Sequence, residues 1–150
     1  MNALSVFVGI CAFFSASFVG LWMKKRLIKK ADFYKDYYDY LCYASERIGY
    51  ERTVVSEINE TFHAKSKEFT AMLNGEDPNI GLTAKELEEI KTYLSKIGST
   101  DAETQLASLA SRCSSLKRFV ENDCATFRKD AALRFKLSVL VGVALFIIVV

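Results

Sequence analysis

The side chains that could carry chemistry are few, with one histidine and four cysteines among 150 residues. His63 has no second histidine with which to bind zinc or share a proton, so we interpret it as a surface or boundary residue. The sequence also lacks a GxxxxGK[ST] phosphate loop and a GxSxG nucleophile elbow. We therefore expect no enzyme activity, no cofactor, no metal site and no small-molecule substrate.

The cysteines do not have the spacing of a zinc site, since they stand at Cys11, Cys42, Cys113 and Cys124. Cys113 and Cys124 are about three helical turns apart on an apolar face, which predicts buried free thiols.

Two uncharged segments, residues 2–23 and 137–150, frame the chain. Residues 3–22 would rise about 30 Å as a helix, which is the thickness of the hydrocarbon core of a bilayer. No positive charge precedes this run and several follow it, which favours a membrane span over a cleaved signal peptide. The second run needs residues 133–136 to reach about 27 Å, and its alternative is a buried helix of a soluble core.

We therefore predict transmembrane helices at residues 1–23 and 133–150 and a cytoplasmic helical domain at residues 24–132. The cytoplasmic side follows from the positive-inside rule. The basic residues that flank the predicted spans are Lys24, Lys25, Arg26, Lys29, Lys30, Arg134 and Lys136. Residues 31–127 hold 11 Lys/Arg and 17 Asp/Glu, a net charge of −6, which argues against nucleic acid as a partner.

Small residues recur at every fourth position in both apolar segments. Ala12, Ala16 and Gly20 share one face of the first segment, and Ser138 and Gly142 share one face of the second. Such faces allow helices to approach closely in lipid.

The first part of the middle segment has helical apolar spacing over residues 33–48, with no break from the first span, and Gly49 is expected to end the helix. Its tyrosines predict a packed face with phenol groups that reach water, rather than a surface for stacking on bases. Two shorter helices are predicted at residues 52–59 and 66–73.

Two helices follow, which brings the prediction to about five helices and an all-α fold. Thr83 and Glu86 have the spacing of a capping box at the start of the first, and Thr100 and Glu103 repeat that form for the second. We expect the second helix to continue unbroken into the C-terminal apolar segment.

The corner between these two helices contains the most distinctive residues. Gly98 is expected to end one helix in the left-handed region, and Asp101 to cap the next or place negative charge at its first amides. Gln105 lies one turn further and can fix the same corner. We expect a structural corner, with direct contact to a partner as the alternative.

The pattern Ile97-Gly98-x-x-Asp101-x-x-x-Gln105, the segment 48–53 and the order of the elements resemble the stage III sporulation protein AB family of endospore-forming bacteria. The resemblance covers nearly the whole chain. Family members often have Gly where Glu51 stands and Pro where Val54 stands.

The resemblance implies a structural component of a channel-like complex between mother cell and forespore, in the mother-cell membrane. The family is distantly similar to the inner-membrane platform proteins of type II secretion and type IV pilus machines. By that analogy, the chain would be a platform or adaptor between a cytoplasmic ATPase and other membrane subunits.

The residues by themselves leave three other classes of protein open. These are a small membrane-permeabilising, holin-like protein, a membrane-tethered adaptor unrelated to sporulation, and a membrane-tethered enzyme. The large middle segment argues against the holin-like class, whose soluble parts are usually shorter.

Overall fold

The structure, a computed structural model, describes residues 3–51 and 54–149, and within these ranges it contains helices and no strand. The elements are α1 (Ala3–Glu46) with a π-helical turn (Arg47–Glu51), α2 (Val55–Thr61), α3 (Lys67–Leu73), α4 (Ala84–Lys96), α5 (Ala102–Phe119) with a second π-helical turn (Val120–Cys124), and α6 (Ala125–Val149). Because the π turns continue the neighbouring helices, the described chain has five continuous helical segments. The predicted all-α fold is confirmed.

The chain divides into two compact units. One, here called the apolar unit, comprises Met1–Ile28 and Thr126–Val150; the other, here called the helical domain, is Lys29–Ala125. The predicted boundaries of 1–23, 24–132 and 133–150 refer to a bilayer, so they remain predictions.

Each terminal helix contains a stretch that is long and apolar enough to cross a membrane. Only 11% of the most apolar window of the first and 6% of that of the second is buried inside the structure. Phe7, Phe18 and Ile148 expose 66%, 71% and 80% of their surface. A core helix of a soluble protein would hide such residues, so the structure does not support the alternative of a buried C-terminal helix.

The small residues of the two apolar segments lie at the contact between them. A Cβ atom added at Gly20 would lie 2.7 Å from Cβ of Ser138. One added at Gly142 would lie 3.4 Å from Cβ of Ala16 and 3.3 Å from the carbonyl oxygen of Phe13. The two helices therefore approach each other closely at Gly20 and Gly142, within one chain, while close approach in lipid stays a prediction.

The core of the helical domain is built on the predicted face of α1. All six of its residues are buried: Phe33, Tyr37, Tyr40, Leu41, Ala44 and Ile48. Phe69 of α3 packs against this face, with ring centroids 5.6 Å from Phe33 and 5.7 Å from Tyr40. Burial of these large rings supplies much of the hydrophobic stabilisation of the domain.

The packing interpretation of the tyrosines is confirmed, but the expectation that their phenol groups reach water is wrong for Tyr34, Tyr37 and Tyr40, which are all buried. The Tyr34 hydroxyl donates to Glu86 at 3.2 Å, and the Tyr40 hydroxyl donates to Asn59 at 2.5 Å. Burial raises the pKa of Tyr40 to about 12. The phenols of Tyr34 and Tyr40 are therefore neutral hydrogen-bond donors inside the fold.

Several predicted helix ends need correction. Gly49 does not end the first helix, because it lies inside the π-helical turn at Arg47–Glu51. The helix predicted at 52–59 begins at Val55 and ends at Thr61, while Arg52 and Thr53 lie outside the described residues. The last helix is continuous from Ala102 to Val149, as predicted, but it includes a π-helical turn, which shifts the helical register.

The predicted starts of α3 and α4 are confirmed. Ser66 is the N-cap of α3 and accepts a hydrogen bond from the backbone N–H of Phe69. At α4, the Thr83 hydroxyl accepts from the Glu86 backbone N–H at 3.2 Å, and the Glu86 carboxylate accepts from the Thr83 backbone N–H at 2.7 Å. This reciprocal pair is a capping box.

Candidate functional site

The corner between α4 and α5 brings the three predicted residues together. Gly98 follows the C-cap of α4 and has φ of +90°, in the left-handed region that favours glycine. Its backbone N–H donates to the side-chain oxygen of Gln105 at 2.9 Å. Gln105 is buried, so one side of this corner is fixed from inside the domain.

Asp101 is the N-cap of α5 and accepts a hydrogen bond of 3.0 Å from the backbone N–H of Thr104. This bond lowers the pKa of Asp101, since it favours the ionised carboxylate. The expectation that Asp101 caps α5 is confirmed. The second capping box, from Thr100 to Glu103, is wrong, because the helix begins one residue later than that pattern requires.

A groove of about 470 Å³ opens beside the corner, bordered by Ile48, Val55, Ile97 and Gly98. Val54, also on its border, exposes 68% of its surface, and Tyr50, close by in sequence, exposes 88%. The groove therefore offers an apolar surface on the helical domain, next to the residues that resemble the family pattern. The sequence indicated the corner but not the groove, because the groove needs the end of α1 and the start of α2 to meet α4.

The predicted membrane-flanking residues fall into two groups. Lys24 and Arg26, in the apolar unit, lie over the rings of Phe135 and Trp22, each at 5.3 Å from the ring centroid. Lys25, Arg134 and Lys136 are exposed on the same unit.

Lys29 and Lys30 instead belong to the helical domain, where both form ion pairs. Lys29 Nζ lies 2.5 Å from Glu68, and Lys30 Nζ lies 3.2 Å from Glu86. The hydrogen bond from Lys29 lowers the pKa of Glu68. Part of the cationic cluster after the first apolar segment therefore ties α1 to α3 and α4.

Glu86 has more partners than the sequence indicated. It completes the capping box of α4, pairs with Lys30 and accepts from the Tyr34 hydroxyl. Burial raises its pKa, but the hydrogen bonds from Thr83 and Lys30 outweigh burial, so the net shift is downward. Its ionised form is thus part of the folded structure.

Two further contacts were missed by sequence reasoning. The buried carboxylate of Asp36 accepts a 2.5 Å hydrogen bond from the backbone N–H of Ser66, which fixes the start of α3 against α1. The thiols of Cys42 and Cys113 lie with their Sγ atoms 3.5 Å apart, although the residues are 71 positions apart in sequence. Nothing in local spacing could reveal either contact.

The remaining candidate residues are placed as follows. His63 is exposed, as predicted, with Nδ1 2.8 Å from the carbonyl oxygen of Thr61. Cys124 is buried, as predicted, whereas Cys113 is only partly buried. Among residues 3–51 and 54–149, no group of three or more His, Cys, Asp or Glu side chains could hold a metal ion.

Comparisons of the chain with protein-family models, with curated proteins and with solved structures find no match.

Proposed function

We propose that this chain is a non-enzymatic, two-span membrane component of a sporulation-specific, secretion-like complex. In this proposal the helical domain faces the cytoplasm and acts as a platform or adaptor for the ATPase of the complex. The observation that carries the proposal is the exposure of both terminal apolar helices, since 89% and 94% of their most apolar windows are not buried within the chain. The sporulation assignment rests on the resemblance to the stage III sporulation protein AB family.

The apolar unit supports a role among other membrane subunits. Its small-residue faces are occupied by the contact between its own two helices, at Gly20 with Ser138 and at Gly142 with Ala16. Large side chains such as Phe14 and Leu140 remain exposed. We therefore assign contact with lipid and with other membrane subunits to these outer faces.

The proposed orientation in the membrane is supported by the distribution of the cationic residues. The exposed cations of the apolar unit stand on the side of each apolar run that leads into the helical domain. By the positive-inside rule this distribution supports a cytoplasmic helical domain, and the family resemblance implies the mother-cell membrane around the forespore.

The features of the helical domain that favour binding of a partner protein are its net negative charge and an exposed apolar groove, not a reactive side chain. The segment 31–127 has a net charge of −6, and the groove beside Gly98 adds exposed apolar area at Val54. An interface that combines charge with a small apolar centre is typical of a reversible protein contact.

The test is binding between the full-length protein in lipid nanodiscs and the purified ATPase of the same complex, at low and moderate salt. We expect binding that weakens with salt, because exposed charges are screened. Val54→Ser, which removes an exposed apolar side chain from the border of the groove, should weaken it further. Thr70→Ser, an uncharged change at an exposed position of α3 outside the groove, serves as the control. Reproducible absence of binding by folded protein would remove the adaptor role.

A further inference from the structure

Cys42 and Cys113 are two thiols of the helical domain that lie in contact with each other. They stand on α1 and α5, and their Sγ atoms are 3.5 Å apart. Formation of a disulfide requires the sulfur atoms to approach to about 2.05 Å, which a change in side-chain rotamer can supply when two thiols already touch. Both residues are only partly buried, so a small oxidant can reach them.

We propose that Cys42 and Cys113 are a reversible oxidation site that closes into an intramolecular disulfide and locks α1 to α5. The proposal is independent of the sporulation function.

The reaction balances with hydrogen peroxide as the oxidant. The Cys42 thiolate attacks the peroxide oxygen, which gives a sulfenic acid at Cys42 and releases water once the leaving oxygen is protonated. The Cys113 sulfur then attacks the sulfenic sulfur, its proton leaves with the hydroxyl group as a second water, and the S–S bond forms. Two thiols are oxidised, one peroxide is reduced, and a dithiol reductant reverses the change.

The two cysteines are suited to different steps. Burial and the neighbouring Cys42 raise the pKa of Cys113 to about 12, so Cys113 remains a protonated thiol at neutral pH. A protonated thiol is a poor nucleophile for the peroxide, so Cys113 does not react first. Its position beside Cys42 suits it to the second step, the attack on the sulfenic acid of Cys42. In a reducing cytoplasm the resting pair is a dithiol, and the bridge forms when an oxidant is present.

The structural effect of the bridge follows from the two helices that it joins. α1 contains the first apolar segment, and α5 continues through the π-helical turn into α6, which contains the second. A covalent link between Cys42 and Cys113 prevents α1 and α5 from separating within the helical domain.

The experiment uses the full-length protein in lipid nanodiscs, treated with hydrogen peroxide, alkylated and analysed by mass spectrometry. We expect the loss of two hydrogen masses, a cross-linked peptide that joins Cys42 to Cys113, and reversal by dithiothreitol. Cys42→Ser and Cys113→Ser should abolish the bridge. Cys11→Ser, which alters a cysteine of the apolar unit, should retain it and is the matched control.

A second measurement compares the thermal unfolding of oxidised and reduced wild-type protein. The bridged form should unfold at a higher temperature, because the cross-link restricts the unfolded chain. The proposal is overturned if peroxide leaves both thiols open to alkylation, oxidises them separately to sulfinic acids, or links them only after denaturation.

Discussion

The side-chain oxygen of Gln105 accepts a 2.9 Å hydrogen bond from the backbone N–H of Gly98. A buried residue of α5 thus holds the residue at which the chain leaves α4 in a left-handed conformation. Asp101, between them in sequence, caps α5. The three residues occur together because each has a separate task at the corner. Gly98 adopts the left-handed conformation, Gln105 accepts from the backbone N–H of Gly98, and Asp101 accepts from the backbone N–H of Thr104.

Replacement of Gly98 by alanine should destabilise the helical domain by about 1 kcal/mol or more, because its φ is +90° and the new Cβ would lie 2.6 Å from Cγ2 of Val55. Gly75→Ala is the matched control. Gly75 has a similar φ of +87°, but no atom lies within 4 Å of an added Cβ. Chemical unfolding should show a larger loss for Gly98→Ala than for Gly75→Ala. Equal losses would mean that Val55 does not confine the corner.

Acid should destabilise the helical domain through the carboxylates whose pKa values the fold lowers. For Glu86, a lowered pKa adds stability above its ordinary value of 4.5, and that stability is lost as the pH falls through the folded value. Glu68 and Asp101 act in the same direction. Glu86→Gln should therefore lower stability at about pH 6 and reduce the further loss between about pH 6 and pH 3.

The measurement is the thermal unfolding midpoint across this pH range for wild type, Glu86→Gln and the control Glu88→Gln, which changes an exposed residue of the same helix. If Glu86→Gln and Glu88→Gln have the same profile, the contacts of Glu86 with Lys30 and Thr83 do not stabilise the fold.

Replacement of Gly20 by valine should disrupt the contact between the two apolar helices, because an added Cβ would lie 2.7 Å from Cβ of Ser138. Overpacking of this kind costs about 1–3 kcal/mol. The single tryptophan, Trp22, lies in the same unit and reports unfolding by its fluorescence in detergent. Val19→Leu enlarges a neighbouring exposed side chain and should have little effect. A Gly20→Val protein as stable as wild type would contradict the packing of Gly20 on Ser138.

The parts of the fold that depend on local spacing could be predicted from the sequence. The face of α1 that includes Phe33 and Ile48 follows from the helical period, and the capping box of α4 follows from residue types three positions apart. Gly98 was identifiable because a glycine after an apolar helical run is typical of a helix end.

The parts that depend on packing between distant segments could not be predicted. Asp36 with Ser66 and Cys42 with Cys113 are joined only by the tertiary fold. Lys29 was assigned to the membrane edge by its place in a cationic run, and its ion pair with Glu68 needs α3 to pack on α1. The start of α5 was misplaced because Thr100 and Asp101 are both good capping residues, and sequence preference does not choose between them.

The central claim is that two membrane spans hold the helical domain in the cytoplasm, and site-specific labelling at Asn79 tests it most directly. Asn79 is exposed in the connection between α3 and α4. Asn79→Cys, in a protein whose four native cysteines are replaced by serine, should react with a membrane-impermeant maleimide only after the cells are permeabilised. Lysed cells provide the control for reactivity. Labelling of Asn79→Cys in intact cells would contradict the orientation and, with it, the proposed contact with a cytoplasmic ATPase.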